Sequence, residues 1–389
     1  MSKTTPSTHP ALAMTDGIAN SSSDFILLVG RILLAWIFIR SGYAKVMDLN
    51  AFAASMPGRG LPTFLAYIAG PFEFLGGIAI LLATCVVIRF AMPGQQAMTG
   101  FVLGAVLLTV VGVLDDLHDL PWYVRVGMQA IAALLMVYVG GVKVEQLGEL
   151  VGVHDTGLGF LSIPFTVFAT VGLINAVNMI DGIDGLAGSL VLVALLMLCA
   201  AGRYAGDPQL AERALILGGA VAGFLAMNMR MPWRPRAKVF LGNSGSAVLG
   251  FALAWFSFRL TQNPGHPVSP VLALWLVPVP VVDTLVLMGV RFLEGRSPFF
   301  ADRNHIHHLM QDAGLGPTRI SLVLASFSLA CGFLVAQAMR IDVPNMLLLA
   351  LYFGLCAAWY LLTRKRGRAL AFFAALANRR RAQGAPDVE

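Results

Sequence analysis

An all-α polytopic integral membrane protein with about eleven transmembrane helices is the fold class this sequence predicts, on three observations. Of its 389 residues, 57% are hydrophobic and only 12% charged, against about 25% charged in soluble domains. The mean hydropathy is +0.76. Eleven apolar runs divide the chain, several of them near the roughly 20 residues a spanning helix needs. Such a composition leaves too little polar surface for a soluble globule. A transmembrane barrel is disfavoured, because its strands alternate and give no long unbroken apolar runs.

The elements follow in order. Residues 1–23 are rich in Ser, Thr, Pro and Ala and read as disordered. No basic stretch there precedes a short apolar run ending in small residues, so no cleavable signal peptide is expected. Apolar runs then lie near 25–40, 64–85, 98–114, 124–140, 160–178, 186–201, 211–227, 243–260, 270–290, 320–338 and 343–362. Cys85, Cys199, Cys331 and Cys356 are scattered through them without metal or redox spacing. They read as small apolar residues rather than a disulfide framework.

The loops orient the chain. With the N-terminus outside, the inner loops are 41–63, 115–123, 179–185, 228–242, 291–319 and the tail from 363. They carry Lys45 and Arg59, then Arg230, Arg234, Arg236 and Lys238, then Arg291, Arg296, Arg303 and Arg319, then the basic tail. The outer loops hold only scattered charges. The positive-inside rule therefore predicts N-out, C-in. It also accounts for the net charge of +6 without a nucleic-acid partner. Every unusual polar cluster then falls on the cytoplasmic face. A transporter would also use intramembrane carboxylates, but it does not explain that one-sidedness, and no inverted repeat is visible.

Four clusters stand out. In Asn175–Leu186 (NAVNMIDGIDGL), two carboxamides, Asn175 and Asn178, and two carboxylates, Asp181 and Asp184, sit between apolar runs. Charge at that density is expensive beside hydrocarbon, so it reads as a functional site. Gly182, Gly185 and Gly188 would let a backbone or a nucleotide approach. In 111–120, Asp115 and Asp116 are adjacent, with Asp119 one turn on. Neighbouring carboxylates repel unless a cation or a proton intervenes, and oxygen ligands suit Mg²⁺; an ordinary acidic loop is the alternative. In 238–251 (KVFLGNSGSAVLGF), glycines and serines at a helix mouth would either offer N–H groups to a phosphate or pack helices closely. In 291–310, His305, His307 and His308 lie beside Arg303. Zinc is conceivable on residue type, but its other ligands are missing; donors aimed at phosphate oxygens fit the carboxylate-rich surroundings better. Together the clusters suit phosphoryl chemistry on a lipid, with a soluble phosphate donor entering from the cytoplasm.

Five motifs, in order, carry a resemblance: DDLHD (115–119), NAVNMIDGIDGLAG (175–188), KVFLGNSGSAVLGF (238–251), HPVSPVLALW (266–275) and SPFFADRNHIHHLM (297–310). Over about residues 73–365 the chain resembles the polyprenyl-phosphate N-acetylhexosamine-1-phosphate transferases of glycosyltransferase family 4. The HIHH form points to the WecA branch, with MraY more distant. The resemblance implies transfer of N-acetylhexosamine 1-phosphate, GlcNAc-1-phosphate by preference, from a UDP-N-acetylhexosamine to undecaprenyl phosphate. UMP is released, and synthesis of a lipid-linked surface polysaccharide such as lipopolysaccharide O antigen begins. It implies Mg²⁺, with Mn²⁺ as an alternative, and a multi-pass location in a bacterial inner membrane. It leaves a homodimer open. By carry-over, Asp115, Asp116, Asp181 and Asp184 are catalytic, with Asp115 orienting or deprotonating the lipid phosphate. Asn175, Asn178, Arg291, Arg303, His305, His307 and His308 bind substrate. Asp115, Asp116 and Asn243 hold the metal.

Two departures follow. The family's Asp in G-D-x-G-S is here Asn243, which can ligate Mg²⁺ but brings no charge. The family's first inner loop is also not recognisable. Residues 25–82 instead resemble DoxX-type small membrane proteins, in GRILLAWIFIRSGYAKVMD (30–48) and GLPTFLAYIAGPFEFLGGIAILLA (60–83). The expected organisation is therefore a disordered segment 1–23, a DoxX-like segment 24–72 with its junction near Pro71, a transferase domain 73–365 and a basic tail 366–389. The alternative function is a redox-associated membrane protein with a degenerate transferase half.

Overall fold

The computed structural model describes residues 43, 45–59, 62–68, 96–148, 157–231, 233–234, 236–262, 268–297 and 303–381. The segment 1–23, the apolar run 25–40 and most of 64–85 lie outside them, as does most of the DoxX-like segment. So do residues 266–267 and 298–302 of the last two motifs. By internal contacts the chain forms two units, Met1–Thr99 and Gly100–Glu389.

In the first unit, α1 (Leu49–Ser55) starts where Asp48 caps Ala51 N–H at 3.0 Å. Ala53, Met56 and Ala66 form a small buried cluster with Phe52 against it. Lys45 lies 5.2 Å over the Phe52 ring, a cation–π contact.

The second unit is all helix among its described residues, apart from isolated bridges. Its helices are α2 (Gln96–His118, beginning in the first unit), α3 (Trp122–Tyr138), α4 (Ser162–Ile180), α5 (Leu186–Tyr204), α6 (Pro208–Asn228), α7 (Gly242–Thr261), α8 (Pro270–Leu276), α9 (Pro278–Leu293), α10 (Ile306–Asp312), α11 (Pro317–Arg340), α12 (Asn345–Thr363) and α13 (Arg366–Arg381). Among the described residues, six helical segments are long and apolar enough to cross a membrane: Gln96–His118, Gly159–Ile180, Leu186–Tyr204, Pro208–Asn228, Pro317–Arg340 and Asn345–Thr363. The protein is a multi-pass membrane protein.

Helix α7 organises the packing. Phe251, Trp255, Ala254 and Leu260 are buried on different sides of it, as expected of a helix enclosed by others. Phe101 of α2 stacks on Phe251 at 5.7 Å. A Cβ at Gly112 of α2 would collide with the Ser244 backbone, so small residues let these two helices touch. Helix α4 packs on α7, α3 and α9, and α5 packs on α6, α7 and α11.

Four loop and span boundaries differ from the sequence reading. The run 270–290, expected as one span, is two helices bent by 88°. Pro278 and Pro280 lack N–H donors, and a proline disfavours helix at the residue before it; Val277 sits at φ −130°, ψ 46°. Helix α2 runs through Asp115 and Asp116 to His118 rather than ending at 114. The loop 291–319 contains α10. The tail is helical as α13, with Ala369 and Phe373 buried. Apolar area on one flank explains this packing better than the basic residues do.

Candidate functional site

The site is built on the turn between α4 and α5. Helix α4 stops at Ile180, and Asp181 leaves helical geometry with φ −77°, ψ 49°. Gly185, at φ +84°, opens α5. The turn is held from below. Gly185 N–H donates to Asn228 Oδ1 at 2.8 Å, and Asn228 Nδ2 donates to the Val239 carbonyl at 2.8 Å. Asp184 Oδ2 accepts from Arg230 Nε at 2.6 Å.

Asp181 differs from Asp184. Burial, then the nearby charges of Asp184 and Asp116, all disfavour its ionised form and raise its pKa to about 7. Asp116 and Asp184 thus both lie within Coulombic range of Asp181. Gly182 is required here. A Cβ at that position would fall inside contact distance of His307 Nε2. The room that Gly182 and Gly188 leave is filled by His307 and Leu225 of the protein itself, rather than standing open to a nucleotide.

The adjacent aspartates of α2 face different partners, since neighbouring helical residues point about 100° apart. Asp115 is buried; its Oδ1 accepts from Leu120 N–H at 2.9 Å and its Oδ2 from Arg125 at 3.2 Å. Asp116 is exposed and accepts from Asn243 N–H at 3.0 Å, which caps the start of α7. Gly242 there has φ +69°, and a Cβ would lie 2.8 Å from Asp116 Oδ2. The glycine–serine motif thus serves close packing and a carboxylate cap.

The carboxamides tie these pieces together. Asn178 Nδ2 donates to Asn243 Oδ1 at 3.0 Å and to Ser246 Oγ at 2.9 Å. Asn175 Nδ2 donates to Gln129 Oε1 at 2.7 Å and to the Val171 carbonyl. A cavity of about 30 Å³ lies between Asp115, Arg125, Gln129, Asn175, Asn178 and Asn243, room for a single water.

The imidazoles approach from α10 and the residues before it. His305 Nδ1 is 2.8 Å from Asp283 Oδ2. His307 is fully buried, with neither ring nitrogen bonded to a described residue. Burial first, then His308, His305 and Arg303, lower its pKa to about 2. Burial first, then Arg303 and His305, lower that of His308. The His305 and His307 rings stack at 5.6 Å, and His308 is tilted against His307 at 4.2 Å. Arg303 turns outward to Asp312 at 3.0 Å. Arg366 of α13 also pairs with Asp312 and donates to the Arg303 carbonyl at 3.0 Å. Arg291 is buried in the last turn of α9.

Several of these partners escaped the sequence reading. Asp283 is the lone charge in the apolar run VPVVDTLVLM. The criterion that singled out Asn175–Leu186 applies to it equally. Arg125, Gln129, Arg230 and Arg366 carried no local signal, because only folding brings them to their partners.

The donor set suits a hard cation. Among the described residues no three His, Cys, Asp or Glu side chains close on one point tightly enough to hold a metal alone. Mg²⁺ does not need that, because it takes one or two carboxylates plus waters and substrate phosphates. A desolvated carboxylate pressed by two others is a place where a cation relieves repulsion.

Comparison with known proteins adds two matches. The glycosyl transferase family 4 model matches residues 98–261, and the DoxX model matches residues 26–111. The undecaprenyl-phosphate alpha-N-acetylglucosaminyl 1-phosphate transferase of Haemophilus influenzae is 33% identical over 270 residues, 69% of this chain and 76% of that protein. Its namesake from Pasteurella multocida is 35% identical over 269 residues, covering 69% and 75%. That of Escherichia coli K12 is 32% identical over 296 residues, covering 75% and 79%.

Proposed function

The chain belongs to glycosyl transferase family 4, and on that premise we propose that it transfers N-acetylhexosamine 1-phosphate from a UDP-sugar to undecaprenyl phosphate and releases UMP. GlcNAc is the favoured sugar, by analogy with the N-acetylglucosaminyl 1-phosphate transferases to which the chain is similar. One observation carries the reading on the site's own terms: Asp181, Asp184 and Asp116 converge on a turn that an unbonded buried imidazole, His307, covers. Carboxylates on one side and donors on the other suit two anionic phosphates that must be brought together.

In this reading an oxygen of the lipid phosphate attacks the sugar-bearing phosphorus. The new P–O bond forms as the bond to UMP breaks. Asp115, neutralised by Arg125, suits orienting a group rather than taking its proton. Asp181, with a pKa raised to about 7, suits accepting one near neutral pH. Asp116 would hold Mg²⁺, or Mn²⁺. Asp115 and Asn243 would join it by sharing oxygens now engaged by Arg125 and Asn178. When bound, the cation neutralises charge on the phosphates. His307, His308, Arg303 and Arg291 would serve the donor's phosphates, with Asn175 and Asn178 fixing the frame. We place the site on the cytoplasmic face of a bacterial inner membrane, in an eleven-span, N-out, C-in chain. The product would start a surface polysaccharide.

The test is direct. Membranes containing the full chain, given labelled UDP-GlcNAc, undecaprenyl phosphate and Mg²⁺, should yield label extractable into organic solvent, and chelation should remove it. An intact chain that makes no labelled lipid beside an active relative would sink the reading. The DoxX match over residues 26–111 favours a second reading, a redox-associated membrane component. That reading expects a redox phenotype on deletion and no labelled lipid.

A further inference from the structure

Asp283 lies on α9, where its carboxylate is almost wholly buried, 1% exposed. Such a group is costly unless donors surround it. Three do. Oδ1 accepts from Ile306 N–H at 3.1 Å and from Trp359 Nε1 at 3.0 Å, and Oδ2 meets His305 Nδ1 at 2.8 Å. One side chain thus joins α9, the start of α10 and α12.

Two of those partners are obligate donors, a backbone amide and an indole N–H. They fix which way the carboxyl group is used. An ionised carboxylate offers only acceptors, so the proton of the third contact sits on His305 Nδ1. Nε2 is then the nitrogen left for chemistry. The His305 ring lies against His307, whose Nε2 lies against Gly182 in the carboxylate turn. Asp283 therefore acts on the imidazole stack without belonging to the cluster around Asp181.

We propose that Asp283 is a positioning residue for the transfer reaction: by holding Nδ1–H it sets the tautomer and ring orientation of His305, so that the bare Nε2 faces the phosphate of the sugar donor, takes up a proton from solvent there and offers it to that phosphate as a charge-assisted hydrogen bond, with the Asp283 carboxylate balancing the imidazolium. The proposal rests on the transferase reading for the identity of that phosphate. Its tautomer claim stands apart from activity. The physical pattern is general, since a carboxylate behind an imidazole fixes which nitrogen works.

Asp283→Asn separates positioning from bracing. The two obligate donors hold the new carbonyl oxygen, so the amide NH₂ must face Nδ1. Nδ1 must then be bare, and the proton moves to Nε2. In the full chain labelled with ¹⁵N-histidine, wild type should show His305 protonated at Nδ1, and Asp283→Asn should move that proton. We expect kcat to fall about 10²-fold or more, in the range of lost acid–base or donor positioning, with the KM for UDP-GlcNAc within about threefold. The substitution should add nothing further in a His305→Ala background. Wild-type His305 carrying its proton on Nε2 alone overturns the proposal without any variant. So does an Asp283→Asn loss that persists undiminished in the His305→Ala background, which marks a structural brace. If wild type shows the Nδ1 proton yet makes no labelled lipid, the transferase reading fails and the tautomer assignment survives.

Discussion

The two halves of the candidate site are built on opposite terms. The carboxylate turn, Asp181 to Gly185, concentrates like charge: Arg230 compensates Asp184, but everything acting on Asp181 disfavours its ionised form. The imidazole segment, residues 303–312, is braced throughout. Asp283 holds His305, Asp312 holds Arg303, and Arg366 ties the segment to α13. Against that bracing, both ring nitrogens of His307, at the seam between the halves, and Nδ1 of His308 are buried without a hydrogen bond to a described residue. The difference teaches where a ligand would act. A stressed anionic turn gains from a cation, and a rigid donor set costs little to reorganise when charge arrives.

Removing the stress is the most severe way to break that contrast. Asp181→Asn should cut transfer by about 10²–10⁴-fold, the span of acid–base roles. It should also stabilise the metal-free protein. The sign follows from the raised pKa. The folded state holds the proton up to about pH 7, whereas an unfolded aspartate releases it near 3.9. The native charge penalty therefore grows as pH rises between those values and is complete above 7. Thermal unfolding in chelator should show Asp181→Asn more stable than wild type at pH 8, by a few kcal/mol at most, with the gap narrowing toward pH 5. An equal gap at both pH values would count against a strained carboxylate.

Closing the seam comes next. Gly182→Ala pushes a methyl group into His307, and overpacking of this kind costs about 1–3 kcal/mol. Activity should drop about tenfold or more, because the methyl group displaces His307 from its place beside the carboxylate turn. Adding His307→Ala should restore the melting temperature but not the activity. If the double variant melts as low as the single, the clash is elsewhere.

Loosening the braced half should do less. Arg366→Ala removes an exposed ion pair with Asp312 and a bond to the Arg303 carbonyl. Partly exposed pairs contribute about 0–1 kcal/mol. The KM for the sugar donor should rise a few-fold with kcat nearly unchanged. A collapse in kcat instead would assign α13 a larger part.

The smallest effect is expected at Asn243. Asp at this position still accepts from Asn178, and the backbone cap on Asp116 is untouched. Asn243→Asp adds negative charge beside the turn. The Mg²⁺ concentration for half-maximal activity should fall several-fold, with little change in kcat. A large rise in kcat would instead favour a damaged enzyme.

Much of this was legible along the chain. The spans around 160–178, 186–201, 211–227, 320–338 and 343–362 stand out by length and apolarity, and the helices over them agree. The run 270–290 misled because hydropathy does not register the break that Pro278 imposes. The clusters at 115–119, 175–188 and 303–308 were visible because charge beside hydrocarbon is conspicuous. Their pairings were not. Asp115 and Asp116 look equivalent in sequence, yet helix geometry sends one to Arg125 and the other to α7.

The sequence by itself determined the class of molecule, its multi-pass nature, its family and the residue types available for phosphate chemistry. These depend on composition and on short ordered motifs. Tertiary structure alone decided which carboxylate is stressed and which is satisfied, that Asp283 stands behind His305, and that Gly182 makes room for His307. The reason is physical. Burial and Coulombic interaction fall off over a few ångströms, and those distances are set by residues 22 to 127 positions apart, such as His305 with Asp283 and Asn243 with Asp116.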